Sequence, residues 1–341
     1  MKRRQFLAAA GAVGLCPGLS FGQAGIARYS DMHAHLGFKP EQGLRAQMEK
    51  GGMLLVAEKI TPDGPLIQRL KNKLGITREA RPGEMRRNYE LALERRKARM
   101  RQENIAAISS LPALDNALAE RAPGIILAAE GADFLEGDLR YLDKVRADGL
   151  VHLQLVHYYG LSGIGDISTE SPQHKGLSAF GRDLVRACNR LGMLVDVAHC
   201  SNQAMEQVLE FAARPVVYSH GHVSAGLPSH EHNGSVARAV HLPVARKIAE
   251  RGGVIGLWPD WYTYANLALL ADGIARTAEQ LGAAHVGIGS DMHGLVRTVM
   301  PTYAEFAALE GELSRRGMRA PEIEGILGGN YLRVLREAMK T

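Results

Sequence analysis

Eight short apolar, β-branched runs, separated by stretches of helical period, constrain this 341-residue chain more than any other feature. The runs are Ala27–His33, Met53–Ala57, Ile125–Glu130, Val151–His157, Leu194–His199, Val216–His220, Val254–Trp258 and Val286–Asp291. Between them the helical period is carried by Glu84–Arg101, Leu139–Ala147, Ser178–Leu191, Asn202–Ala212, Pro243–Arg251 and Ala265–Leu281. A ninth apolar run, Ile105–Ser109, is read as part of the connection before the third strand. Strands alternating with helices form parallel βαβ units, and eight such units close into a (β/α)8 TIM barrel of the α/β class. A barrel of this kind takes roughly 250 residues plus insertions, which fits the length. Pro321–Met339 is expected as a closing helix against the barrel wall. Lys59–Pro82 and Tyr158–Lys175, rich in Gly, Pro and polar residues, are expected as long loops over the catalytic mouth.

The first 24 residues follow a different grammar. A basic start, an apolar middle and the small residues Gly22 and Ala24 make a signal peptide, and Arg3-Arg4 before Gln5-Phe6-Leu7 resembles a twin-arginine export signal. Its apolar run falls short of the ~20 residues that span a bilayer, so a stable membrane span after processing is not expected. Residues 25–341 then form a single domain, and the expected location is the periplasm. Lys2, Arg3 and Arg4 are the only charges in the leader, so the rest of the chain has 38 bases against 36 acids. That near-neutral balance gives no electrostatic footprint for nucleic acid. With 46% hydrophobic and 23% charged residues the composition is that of an ordinary globular domain. Cys188 and Cys200 remain after the leader, and they are read as buried free thiols in preference to a disulfide.

In such barrels, reactive groups sit at the C-terminal ends of the strands. Six of the eight runs end in a residue able to ligate metal or move a proton: His33 with His35, Glu130, His157, His199, His220 and Asp291. A lone strand-end histidine is more often structural, but a barrel converges all of these tips on one mouth. Side chains alternate along a strand, so His33 and His35 share a face and chelate one ion. Glu130 has two oxygens with which to bridge that ion to a second, held by His199 and His220. Imidazole-rich, carboxylate-bridged coordination suits two Zn²⁺ best, with Mn, Co or Fe as alternatives by ligand softness. A pair of ions roughly 3.5–4 Å apart activates water and polarises a carbonyl. Asp291 is then placed to take the proton from that water and return it to a leaving amine. Its blander role is to orient a histidine.

The stretches HAH, AAEGADF, GLSAFGRDLVRACNRLGMLVDVAH, PVVYSH, IAERGGVIG, VGIGSD and ILGGNYLRVLRE, in that order from about Ser30 onward, resemble the renal (membrane) dipeptidase family. That family belongs to the metal-dependent amidohydrolases. The resemblance implies an (α/β)8 barrel with a two-zinc centre that hydrolyses small dipeptides through a zinc-bound hydroxide. It also implies His33 on the first ion, Glu130 on both, and His199 and His220 on the second. His157 would contact substrate near the scissile carbonyl, and Arg238 would hold the substrate's terminal carboxylate. For Arg238 an ordinary exposed loop position is the competing reading. The family leans towards dimers, so a homodimer is the candidate assembly.

Three departures from the family pattern stand out. The usual His-x-Asp is here His33-Ala34-His35, the acids that follow the arginine are replaced by Val240-His241-Leu242, and Leu257-Trp258-Pro259-Asp260-Trp261-Tyr262 differs from the common sequence after the seventh strand. They keep two other readings open: a related hydrolase of another amide, a lactam or a lactone, and a low-turnover periplasmic maturation factor. Of the remaining histidines, His222, His230 and His232 read as solvated loop residues. His293 is a weak mouth candidate, and His152, His174 and His285 carry no case beyond packing or exposure.

Overall fold

The computed structural model describes residues 28–38, 43–70, 73–160, 163–224, 238–295 and 297–340. The leader, His230 and His232 lie outside these residues. Eight parallel strands run in chain order around one sheet: β1 (Tyr29–Ala34), β2 (Met53–Ile60), β3 (Gly124–Glu130), β4 (His152–Gln154), β5 (Leu194–Asp196), β6 (Val217–Val223), β7 (Val254–Leu257) and β8 (Val286–Ile288). The barrel closes at its mouth. Asp291 N–H donates to the carbonyl of His33 and His35 N–H to that of Met292, both over 2.8 Å. The expected (β/α)8 barrel is therefore the observed fold.

Strand residues buried on both faces read as near-continuous apolar runs, as parallel sheets require; β2 and β3 are buried along their whole length. The helices that follow begin where the sequence can cap them. Ser178 accepts from Gly181 N–H and Ser201 from Ala204 N–H at the starts of Ala179–Leu191 and Asn202–Phe211. Cys188 and Cys200 are buried free thiols. Among the described residues no helix is long and apolar enough to cross a membrane.

Four expectations about elements change. The run at Ile105–Ser109 supplies a short strand, Ala106–Ala107, that pairs in parallel with Gly124 and Ile125 of β3. An unexpected helix, Leu111–Glu120, follows it under a Ser110 cap. The first mouth loop begins later than expected, because β2 runs on to Ile60 and keeps Lys59 inside the barrel. That loop also contains an antiparallel hairpin, Ile67–Leu70 with Lys73–Ile76. The C-terminal helix is broken at Gly325–Gly329, where a Cβ on Gly328 would lie 2.6 Å from the backbone nitrogen of Ser30. Its last segment, Asn330–Ala338, touches β1, β5, β7 and β8 and buries Tyr331, Val334 and Leu335 against Leu55, Ile126 and Val217. It crosses the N-terminal end of the barrel instead of lying on the wall.

Candidate metal centre

All the strand-tip histidines singled out in the sequence meet at one carboxylate. Glu130, at the last position of β3 and 2% exposed, has Oε1 at 3.2 Å from His199 Nε2, 3.4 Å from His33 Nε2, 3.5 Å from His157 Nε2 and 3.6 Å from His220 Nε2. Its Oε2 is 3.2 Å from His35 Nε2. Gly131 lets the chain turn away directly behind it. Its φ is +92°, and a Cβ there would lie 3.2 Å from the Cβ of His157.

His33 and His35 do share a face, with their Nε2 atoms 3.2 Å apart. Asp291 joins them, its Oδ1 lying 3.1 Å from His35 Nε2. By proximity of ligand atoms the residues form three overlapping groups: His33, His35 and Asp291; His33, Glu130 and His220; and Glu130, His157 and His199. His33 and Glu130 each belong to two of them. His199 groups with His157, while the ring of His220 lies 3.7 Å from that of His33, tilted by 42°. His199 and Asp291 both adopt positive φ, +66° and +49°, each at a cost on the order of 1 kcal/mol that functional sites commonly store.

The donor set suits divalent cations. The Nε2 of His199 and Oδ1 of Asp291 are buried, and their near neighbours, Glu130 Oε1 and His35 Nε2, are not aligned with them as in an ordinary hydrogen bond. Ligating imidazoles must be neutral at Nε2. Burial lowers His33 to about 4, and burial together with the nearby positive charges holds His199 and His220 well below the ordinary histidine value. Ser219 Oγ lies 3.0 Å from His33 Nδ1 and 3.1 Å from His220 Nδ1, so one hydroxyl fixes the far side of both rings. His35 behaves differently. Burial opposes its charge, yet Glu130 and Asp291 prevail and push it up to about 10. Glu130 itself is held well below the carboxylate range, the imidazoles outweighing its burial.

Around this centre lie the groups that would face a substrate. Asp63 accepts from His157 Nδ1 over 2.8 Å, and with Glu130 it raises the imidazole's pKa against the effect of burial. Arg238, read as an exposed loop residue or a carboxylate clamp, is buried at the mouth. Its Nη2 is 2.6 Å from His220 Nε2 and its guanidinium lies 4.9 Å from the centre of the Trp258 ring. Trp258 Nε1 donates to Asp291 Oδ2 over 3.1 Å.

Asp63, Ser219 and Trp258 are the residues the sequence reading missed. Asp63 sits in a loop with no periodic signal, and Ser219 is masked in the sequence by its neighbour His220. Trp258 was noted only as a departure. His222 corrects an expectation outright. It is on β6, wholly buried, with Nε2 3.1 Å from Thr263 Oγ1, because the strand continues three residues past His220. His152 is also buried, in the barrel interior with Lys59 and Asp196.

A family model described as membrane dipeptidase (peptidase family M19) matches residues 85–341. Dipeptidase tcpJ of Claviceps purpurea is 29% identical over 220 residues, which cover 62% of this chain and 50% of that protein. Dipeptidase aclJ of Aspergillus oryzae is 31% identical over 219 residues, with the same coverage of 62% and 50%. The chain thus spans about half the length of the curated relatives it matches. Among solved structures, the probable dipeptidase PvdM from Pseudomonas aeruginosa superposes with a TM-score of 0.76 at 21% identity, covering 92% of this chain and 96% of that one. A metallo peptidase from Rhodobacter sphaeroides, liganded with a phosphinate mimic of the dipeptide L-Ala-D-Ala, gives 0.75 at 18% identity, covering 92% and 99%. At these identities the likeness is one of fold.

Proposed function

The chain belongs to the membrane dipeptidase family, and we propose that it is a metal-dependent dipeptidase that cleaves small peptides bearing a free carboxylate. The observation that supports this most is the carboxylate of Glu130, ringed by five imidazoles from four strand tips. In this reading His33, His35, Glu130, His199 and His220 hold two divalent cations, zinc by preference. Cations bound there would supply Lewis-acid polarisation of the scissile carbonyl and a more acidic attacking water.

The chain's own groups do the rest. His157, held by Asp63 at Nδ1, directs its Nε2 towards the site and donates to the oxyanion that develops on the carbonyl. Asp291 accepts the proton of the attacking water through Oδ1 and delivers it to the leaving amine. Arg238 has a buried Nε without a partner among the described residues, and its planar fork suits the substrate's carboxylate. Nη2 rests on His220 Nε2, so the guanidinium would have to leave that nitrogen for His220 to hold an ion through it. The leader supports export to the periplasm, a reading that rests on sequence alone.

The test compares dipeptides with their C-terminal amides in wild type and Arg238→Ala. A dipeptidase of this design prefers the free acid, and the variant loses that preference mainly through KM. Equal turnover of acid and amide in both proteins would point instead to a neutral amide, lactam or lactone as substrate. Bound metal with no turnover of any substrate would point to a maturation factor.

A further inference from the structure

Trp258 touches both groups on which the proposed reaction turns, through two different parts of one side chain. Its indole N–H donates to Asp291 Oδ2 over 3.1 Å, and its ring face carries the Arg238 guanidinium at 4.9 Å. The ring also packs near that of His222, 5.6 Å away, and makes an edge-on contact with that of His220 at 5.9 Å. His222 is in turn fixed by Thr263 Oγ1, which donates to Asp260 Oδ2 over 2.8 Å. This buried scaffold comes from β6 and from the segment after β7, where the sequence departs from its family. We propose that Trp258 is a positioning residue that couples proton transfer to carboxylate recognition. One indole sets the rotation of Asp291 so that Oδ1 faces His35, and stacks Arg238 over the mouth.

The geometry separates the two duties. A carboxylate with one oxygen tied to a rigid N–H has its other oxygen fixed in direction. Without that tie Asp291 is held only through Oδ1, and the near-attack arrangement is populated less often. A guanidinium on an aromatic face is held in plane by attraction to the ring, so loss of the face frees Arg238 without removing its charge. Ligand selectivity should therefore respond to the face, and turnover to the N–H.

This inference rests on the dipeptidase reading for its kinetic test, so a second readout is independent of turnover. In metal-loaded protein, Trp258→Phe keeps the ring face and removes the donor. It should lower kcat by about tenfold or more, the scale of one hydrogen bond to a charged group, and change KM for a free-acid dipeptide less than about twofold. Trp258→Leu removes both; it should show the same kcat loss and in addition raise KM for the free acid several-fold, but not for the amide. Metal content and Tm should match wild type in both. Separately, Trp261→Phe leaves Trp258 as the single tryptophan. Its emission should change saturably as a dipeptide mimic with a phosphinate in place of the peptide bond is added, and its amide should give a weaker response. Wild-type kcat in Trp258→Phe, or parallel KM changes in the two variants, would overturn the proposal while leaving the dipeptidase reading intact. A wild type that cleaves no peptide would sink that reading, and the emission titration would then decide: no response to the mimic overturns the role of Trp258.

Discussion

Asp63 accepts from His157 Nδ1 over 2.8 Å while its other oxygen accepts the backbone N–H of Tyr158 and Tyr159, each over 3.1 Å. One loop carboxylate therefore sets both the ring orientation of His157 and the path of the chain just beyond β4. Asp63→Asn should lower kcat by about 10- to 100-fold with metal content unchanged. The sign of the pH effect follows from the raised pKa of His157. Its charged form persists to higher pH in the intact protein, so removing the Asp63 charge should move the alkaline limb of kcat to lower pH. A kcat–pH profile of the variant checks both; an unmoved alkaline limb would remove His157 from the proton inventory.

Ser219 supports two rings at once, so its loss should be felt in metal retention before turnover. Ser219→Ala leaves His33 Nδ1 and His220 Nδ1 without their shared partner. Metal affinity, measured by competition with a chromophoric chelator, should fall about 10- to 100-fold. Wild-type affinity would show that the rings are positioned by packing alone.

Lys59 and Asp196 form an ion pair of 2.8 Å in the barrel interior, both wholly buried, with His152 Nε2 3.1 Å from the same carboxylate oxygen. Breaking such a pair from one side strands a buried charge. Lys59→Met should destabilise the fold by about 3–5 kcal/mol, and adding Asp196→Asn should recover part of that loss. Denaturant unfolding of the two single variants and the double checks this; additive losses would contradict it.

His35 lies between Oε2 of Glu130 and Oδ1 of Asp291. In metal-free protein its imidazolium, with a pKa pushed up to about 10, neutralises two carboxylates. That stabilisation is present at neutral pH and is lost as pH rises through the raised value. His35→Asp replaces it with a third carboxylate, so Tm in chelator should drop while added zinc should raise Tm by more than it does in wild type. Equal zinc-induced shifts in the two proteins would show that His35 is not coupled to the centre.

Strand tips were legible in the sequence because two signals coincide there: an apolar run that ends, and a reactive residue at the place where a barrel opens. That coincidence located His33, Glu130, His157, His199, His220 and Asp291. Asp63, Ser219 and Trp258 carry no such double signal, since each acts through a contact that only the closed barrel creates. Lys59 and His222 failed for a related reason. A charged or imidazole side chain past an apolar run looks like the start of a loop, yet both lie on strands that continue because buried partners satisfy them. The Leu111–Glu120 helix could have been found, since Ser110 followed by Pro112 is a start signal. The break at Gly325–Gly329 could not, because its cause is the approach of Ser30 from the far end of the chain.

Metal and hydrolysis measured together in one preparation bear most directly on the proposed metal-dependent cleavage. Elemental analysis of the purified full chain should give two divalent cations per molecule, zinc foremost, alongside turnover of free-acid dipeptides. A chelator should abolish that turnover and added zinc restore it, and Asp291→Asn should keep the metal while losing turnover by orders of magnitude. Dipeptide hydrolysis that survives complete removal of metal, or full activity in Asp291→Asn, would contradict it.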